Sequence, residues 1–139
     1  MRAFKGFLVC CWLIFNISNA GADTAGFSIT AADKEFLSDL NKAVRGEDAK
    51  WIADHISYPI TAKIDGQKQA ITDGQKFIAN YANIFNEKVR LALESQQPDA
   101  LFKNWRGVRV GNGEMWFAET HPDPKKLQIV KYFITGINN

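Results

Sequence analysis

Histidine and cysteine, which are typical of catalytic and metal-binding sites, are scarce in this chain of 139 residues. The only histidines are His55 and His121, and the only cysteines are Cys10 and Cys11. A structural zinc site takes four ligands and a catalytic one takes three, so two isolated histidines do not predict zinc. His55 lies on the apolar side of a short helical pattern and His121 in a proline-bounded loop, which predicts a core-edge side chain and a solvated one. We therefore expect no metal site.

Short catalytic motifs are missing as well. There is no HExxH helix, no GxSxG elbow and no Walker loop. The glycines Gly107, Gly111 and Gly113 could suggest a phosphate cradle, but a strand-like segment follows them, not a helix whose N-terminus could hold an anion. We interpret this cluster as a turn and expect no cofactor.

The first twenty residues have the pattern of a secretory signal peptide. Arg2 and Lys5 precede an apolar run over residues 6–15, and small residues end the segment at Ala20. The run is too short to cross a bilayer, which needs roughly 20 apolar residues. We therefore expect cleavage after Ala20, a periplasmic or secreted protein and no stable membrane anchor.

Cleavage would change both the charge and the redox chemistry of the chain. Both cysteines would leave, so the mature protein would have no disulfide and no thiol. Loss of Arg2 and Lys5 lowers the number of basic residues from 17 to 15, which equals the number of acidic residues. A neutral chain is a poor candidate for binding nucleic acid. Residues 21–29 are predicted to be a flexible lead, and residues 30–139 suit one domain.

Helical patterns fill the first half of that domain. Thr30 and Asp33 resemble the cap of a first helix that ends at Gly46, and a second, short helix stops before Tyr58-Pro59. A third helix is predicted to follow Asp73, with one buried stripe of apolar residues, namely Phe77, Ile78, Tyr81, Ile84 and Phe85. Residues 86–95 fit a helix or a strand, and we favour the helix.

The remaining segments predict strands. Ile60–Ile64 and Gln67–Ile71 flank the hairpin turn Asp65-Gly66. Three further strands are predicted over residues 105–110, 114–120 and 127–134, the last of them central in the sheet because both of its faces are apolar. The expected fold is an α+β domain whose helices pack on one face of a curved antiparallel sheet.

The order of these elements resembles the nuclear-transport-factor-like superfamily, also called the cystatin-like cone fold. The residues that carry the likeness are Trp51, Tyr58-Pro59, Phe77-Ile78, Tyr81, Ile84-Phe85, Leu101-Phe102, Asn104, Gly107, Gly111-Asn112-Gly113 and Trp116-Phe117. The resemblance implies a conical pocket, and the superfamily holds isomerases and dehydratases beside non-catalytic binding domains. An isomerase-like pocket would need a carboxylate and a hydroxyl donor, for which Asp54, Tyr58 and Tyr81 are the candidates. The alternative is that Asp54 lies on a helix surface and both tyrosines pack in the core.

A partner-binding surface is predicted around Trp105. Its neighbours are polar, and Arg106 and Arg109 make one side of the segment basic. Tryptophan in such a setting can anchor a partner, although it can also only cap a sheet edge. We expect a non-catalytic domain that binds an envelope protein, as an inhibitor or immunity protein would. The alternative is a pocket for a small apolar ligand, and a homodimer through the sheet is a further expectation.

Overall fold

The computed structural model describes residues 26–126 and 130–139. The predicted signal peptide, most of the lead segment and residues 127–129 of the predicted last strand lie outside the described residues. The elements, in chain order, are α1 (Ala31–Arg45), α2 (Ala49–Asp54), β1 (Ile60–Ile64), β2 (Gln67–Ile71), α3 (Gly74–Ala79), α4 (Tyr81–Ile84), α5 (Glu87–Ser95), a 3-10 turn (Pro98–Ala100), β3 (Phe102–Asn104), β4 (Gly107–Val110), β5 (Met115–Thr120) and β6 (Lys131–Ile137). This is the predicted α+β class.

The first helix begins with a capping box. Thr30 Oγ1 accepts a hydrogen bond from the Asp33 backbone N–H at 3.2 Å, and the Asp33 carboxylate accepts one from the Thr30 backbone N–H at 2.7 Å. Phe36, Leu37 and Leu40 then form the buried side of α1. Helix α5 also begins at a side-chain cap, because Asn86 Oδ1 accepts from the Val89 N–H at 3.1 Å. The helical interpretation of residues 86–95 is confirmed.

The prediction of one helix after Asp73 is wrong, because the structure has two short helices with Asn80 between them. Asn80 lies outside helical geometry at φ −116° and ψ 16°, and its side-chain amide donates to the Lys76 carbonyl at 2.9 Å. Ile78, which was predicted for the buried stripe, is 45% exposed, while Phe77, Ile84 and Phe85 are buried. Polar side chains that bond the backbone compete with helix in this way.

The strands form two antiparallel sheets. The hairpin β1–β2 is one, and its turn residues Asp65 and Gly66 both have positive φ, as a type I′ turn requires. The other is a four-stranded meander in the order β3-β4-β5-β6. The sequence predicted three strands there, because the short β3 was not recognised and Trp105 was placed inside a strand instead of a turn.

Strand β6 lies at the end of this order, not in its centre as predicted. Its outer edge bonds the segment after α2, since the Ile134 N–H donates to the His55 carbonyl at 2.7 Å and the Ser57 N–H to the Ile134 carbonyl at 2.9 Å. The pairing with β5 steps from Trp116–Gly136 to Phe117–Ile134, and the resulting bulge places both Ile134 and Ile137 in the core.

Candidate functional site

The structure does not bring the three residues predicted for an isomerase-like pocket together in one pocket. The Tyr58 hydroxyl already donates to the Ala53 carbonyl at 2.9 Å. Burial, followed by the charges of Asp54 and Asp73, raises the pKa of Tyr58 to about 12. Asp54 is exposed and pairs with Lys50 at 2.7 Å. The Tyr58 hydroxyl is thus neutral, but its proton is already donated to a backbone carbonyl, which is the bonding of a structural residue.

Tyr81 is packed between phenylalanines. Its ring stacks on Phe85 with centroids 5.4 Å apart and meets Phe77 edge-on at 5.9 Å. Its hydroxyl is buried, and among the described residues it has no hydrogen-bond partner. Burial, chiefly, raises the pKa of Tyr81. The ring therefore contributes to the core. No recorded hydrogen bond links its hydroxyl to Asp54 or Tyr58.

The residues predicted for partner contact, in contrast, lie together on the four-stranded sheet. Strand register places Phe102 opposite Arg109, and Arg109 opposite Trp116, so these three side chains form a row on one face. Trp105 and Arg106 follow at the turn between β3 and β4. We call these five residues the arginine–aromatic surface.

Trp105 is exposed because of the turn that carries it. Asn104 pairs with Gly107, which leaves Trp105 and Arg106 as a two-residue loop. The Asn104 Oδ1 accepts from the Arg106 N–H at 2.8 Å, and Gly107 has φ +116°, where a side chain would be strained. The result is a tryptophan with 80% of its surface exposed, twice the fraction of its neighbour Phe102.

Both arginines of the surface lie over aromatic rings. The Arg106 guanidinium carbon is 4.9 Å from the centre of the Trp116 ring and 6.0 Å from that of Trp105. The Arg109 guanidinium carbon lies 4.7 Å from the centre of the Phe102 ring. These are cation–π distances, at which the terminal N–H groups of a guanidinium can still bond a carboxylate. The Nε of Arg109, in contrast, is buried and has no hydrogen-bond partner among the described residues.

A depression of about 380 Å³ adjoins Trp105. Its walls come from the turn, from strand β5 and from residues before α1, and they include Phe27, Thr30, Lys103, Asn104, Ala118 and Glu119. An exposed tryptophan beside a surface depression is the arrangement of an anchor residue and a pocket for a partner side chain.

A buried ion pair joins the β3–β4 hairpin to helix α1. Lys103, in the middle of β3, places Nζ 3.0 Å and 3.1 Å from the two carboxylate oxygens of Asp33 on α1. Burial alone would raise the pKa of Asp33, but the hydrogen bonds from the Thr30 backbone, from Lys103 and from the Thr30 hydroxyl together hold it below its ordinary value. The sequence showed Asp33 only as a helix cap, since nothing in it links two residues 70 positions apart.

A second concave feature lies between α1, α2 and the start of β6. It has a volume of about 410 Å³. We call it the aromatic groove, and its lining consists of Phe36, Asp39, Trp51, Asp54, His55, Lys131, Tyr132 and Phe133. Sequence reasoning placed Asp54 in a pocket but with the wrong neighbours, because Tyr132 and Phe133 come from the far end of the chain.

Metal clusters and membrane-spanning helices are the two remaining features to compare with the part of the chain that the structure describes. Within residues 26–126 and 130–139, no cluster of three or more histidine, cysteine or acidic side chains is placed to hold a metal ion. No helix in the same ranges has the length and apolar character needed to span a membrane.

No protein-family model, curated protein or solved structure matches this chain. The likeness to the nuclear-transport-factor-like superfamily therefore stays a prediction.

Proposed function

We propose that this chain is an exported, non-catalytic binding domain that holds a protein partner of the cell envelope through the arginine–aromatic surface. The observation that carries the proposal is the exposure of Trp105 on a surface where Arg106 and Arg109 lie over aromatic rings. Tryptophan and arginine are the residue types that most often dominate binding energy at protein interfaces. An inhibitor or an immunity-type protein would use such a surface.

The charges of the surface indicate the chemistry of the partner. Arg106 and Arg109 make no salt bridge with the described residues, while Lys103 beside them is neutralised by Asp33. Two guanidinium groups lying over aromatic rings favour a partner that presents carboxylates around an apolar pocket. The depression next to Trp105 would receive one of the partner's own side chains.

The test is affinity capture from envelope extract with the mature protein as bait, followed by titration with the purified, identified partner. Trp105→Ala should lower the affinity by about 2 kcal/mol or more. Leu91→Ala is the matched control, because Leu91 is 54% exposed on α5, an element that contributes nothing to the arginine–aromatic surface, and it should bind normally. Equal affinity of both variants, or no identified partner with either, would contradict the proposal.

The oligomeric state must be measured in the same samples. A homodimer formed through the sheet would cover the same surface and would compete with a different partner. Light scattering of wild type and Trp105→Ala separates the two cases, since only self-association changes the mass of the free protein.

A further inference from the structure

We infer that the aromatic groove is a second binding site, and that its ligand is a small organic cation with an alkylammonium group. The groove is built from α1, α2 and the first residues of β6. It shares no lining residue with the depression at Trp105, so this inference does not depend on the proposed function.

Ring surfaces supply the first part of the argument. The indole of Trp51 and the imidazole of His55 stack at 3.9 Å, and Phe36 stacks on Tyr132 at 5.4 Å. Trp51, His55, Tyr132 and Phe133 are all only half buried, so aromatic surface is left open to the groove. The face of an aromatic ring carries negative potential and attracts a cation within about 6 Å of its centre.

The hydrogen bonding of His55 fits this role. Its Nδ1 lies 2.7 Å from the Trp51 carbonyl oxygen, a contact in which Nδ1 must carry the proton. In the neutral ring Nε2 is then an acceptor, and no hydrogen-bond partner contacts it among the described residues. An ammonium N–H or a ligand hydroxyl could donate to it.

Charge supplies the second part. Asp39 and Asp54 line the groove, against one cation, Lys131. Each carboxylate also pairs with a lysine of its own region, Asp39 with Lys42 at 3.1 Å and Asp54 with Lys50 at 2.7 Å. Both lysine side chains are more than 70% exposed, and such surface pairs are weak enough for a bound cation to replace them.

These two features together select the class of ligand. An anion would meet two carboxylates and the negative faces of the rings. A neutral apolar molecule would fill the groove but would strip water from the carboxylates without replacing it. An alkylammonium ion satisfies both the rings and the carboxylates.

The test is a titration with choline, followed by the NMR signal of the Trp51 indole N–H. The matched ligand is dimethylbutanol, in which a neutral tert-butyl group takes the place of trimethylammonium. We expect choline to bind about threefold to thirtyfold more tightly than the alcohol, the range that a cation–π contribution covers. Equal binding of both molecules, or no shift of the Trp51 signal with millimolar choline, would overturn the inference.

Two variants that change the charge of the groove in opposite directions distinguish lost binding from misfolding, because a folding defect would weaken binding in both. Asp54→Asn should weaken choline binding, whereas Lys131→Met should strengthen it, because it removes the only lysine or arginine that lines the groove among the described residues. Arg106→Met on the arginine–aromatic surface should change nothing. If Asp54→Asn and Lys131→Met move the affinity in the same direction, the electrostatic argument is wrong.

Discussion

Asp33 and Lys103 form a buried ion pair that joins the first helix to the hairpin bearing Trp105. The carboxylate of Asp33 is fully buried, and the Lys103 side chain is only 12% exposed. Lys103 lies two residues before Trp105, in the three-residue strand β3. The same carboxylate that caps α1 therefore also holds the strand from which the exposed tryptophan projects.

Lys103→Met is predicted to destabilise the protein by about 3 kcal/mol, because it leaves a buried carboxylate without its counter-ion. Urea unfolding of the wild type and the variant measures this difference. Lys34→Met is the control, since Lys34 pairs with Asp99 at the surface and should cause a much smaller change. A Lys103 variant as stable as the Lys34 variant would show that the buried pair is energetically neutral.

The pKa of Asp33 predicts how stability depends on pH. Its pKa in the folded protein lies below the ordinary value of 3.8, so the folded state binds this proton less tightly than the unfolded state does. The stabilisation is therefore complete above the unfolded pKa and is lost as the pH falls through the folded one. Asp33→Asn should be less stable than the wild type near neutral pH, and this difference in stability should narrow as the pH falls below the ordinary value of 3.8. A constant gap in the free energy of unfolding across this range would contradict the assignment.

Local signals in the sequence predicted the elements well wherever a side chain or turn residue fixes the backbone. Thr30 with Asp33 marked the start of α1, and Asp65-Gly66 marked the turn of the first hairpin, as the structure has them. Asn80 was overlooked because its apolar neighbours continue a helical period on both sides. Helix periodicity gives no weight to a single amide that bonds the backbone.

Contacts between distant residues were beyond the sequence. The pattern singled out Trp105, Arg106 and Arg109, but the stacking of Arg106 on Trp116 depends on the register of β4 with β5. Register is set by packing and turn length across the sheet, which local periodicity does not report. The aromatic groove was missed for the same reason.

The stability of the protein should respond differently to loss of the hydroxyl at Tyr58 and at Tyr81. Tyr58→Phe removes the bond to the Ala53 carbonyl and should cost about 1 kcal/mol. Tyr81→Phe removes a buried hydroxyl that has no partner among the described residues, so it should be neutral or stabilising by up to about 1 kcal/mol. Thermal or urea unfolding of both variants checks the signs. A clear loss of stability in Tyr81→Phe would mean that this hydroxyl has a hydrogen-bond partner in solution.

Asn139 bonds strand β1 as a neighbouring strand would. Its Oδ1 accepts from the Lys63 N–H at 2.8 Å, and its Nδ2 donates to the carbonyls of Lys63 at 2.7 Å and Asn83 at 2.8 Å. Asn139→Asp should destabilise the protein by about 2 kcal/mol, because an oxygen would face two carbonyl oxygens. Unfolding in urea measures the effect. Asn83→Asp, at an exposed position whose side chain makes no hydrogen bond among the described residues, controls for the added charge and should cost less.

Replacing each arginine of the arginine–aromatic surface by lysine should separate shape from charge. Arg106→Lys and Arg109→Lys keep the positive charge but lose the flat guanidinium that stacks on Trp116 and on Phe102. Each is predicted to weaken partner binding by about 1 kcal/mol with little change in stability. Titration calorimetry at low and high salt measures the contributions of charge and of stacking separately. A pure charge effect is screened by salt, whereas the loss of stacking is not. Lysine variants that bind like the wild type at both salt concentrations would reduce the role of these arginines to charge alone.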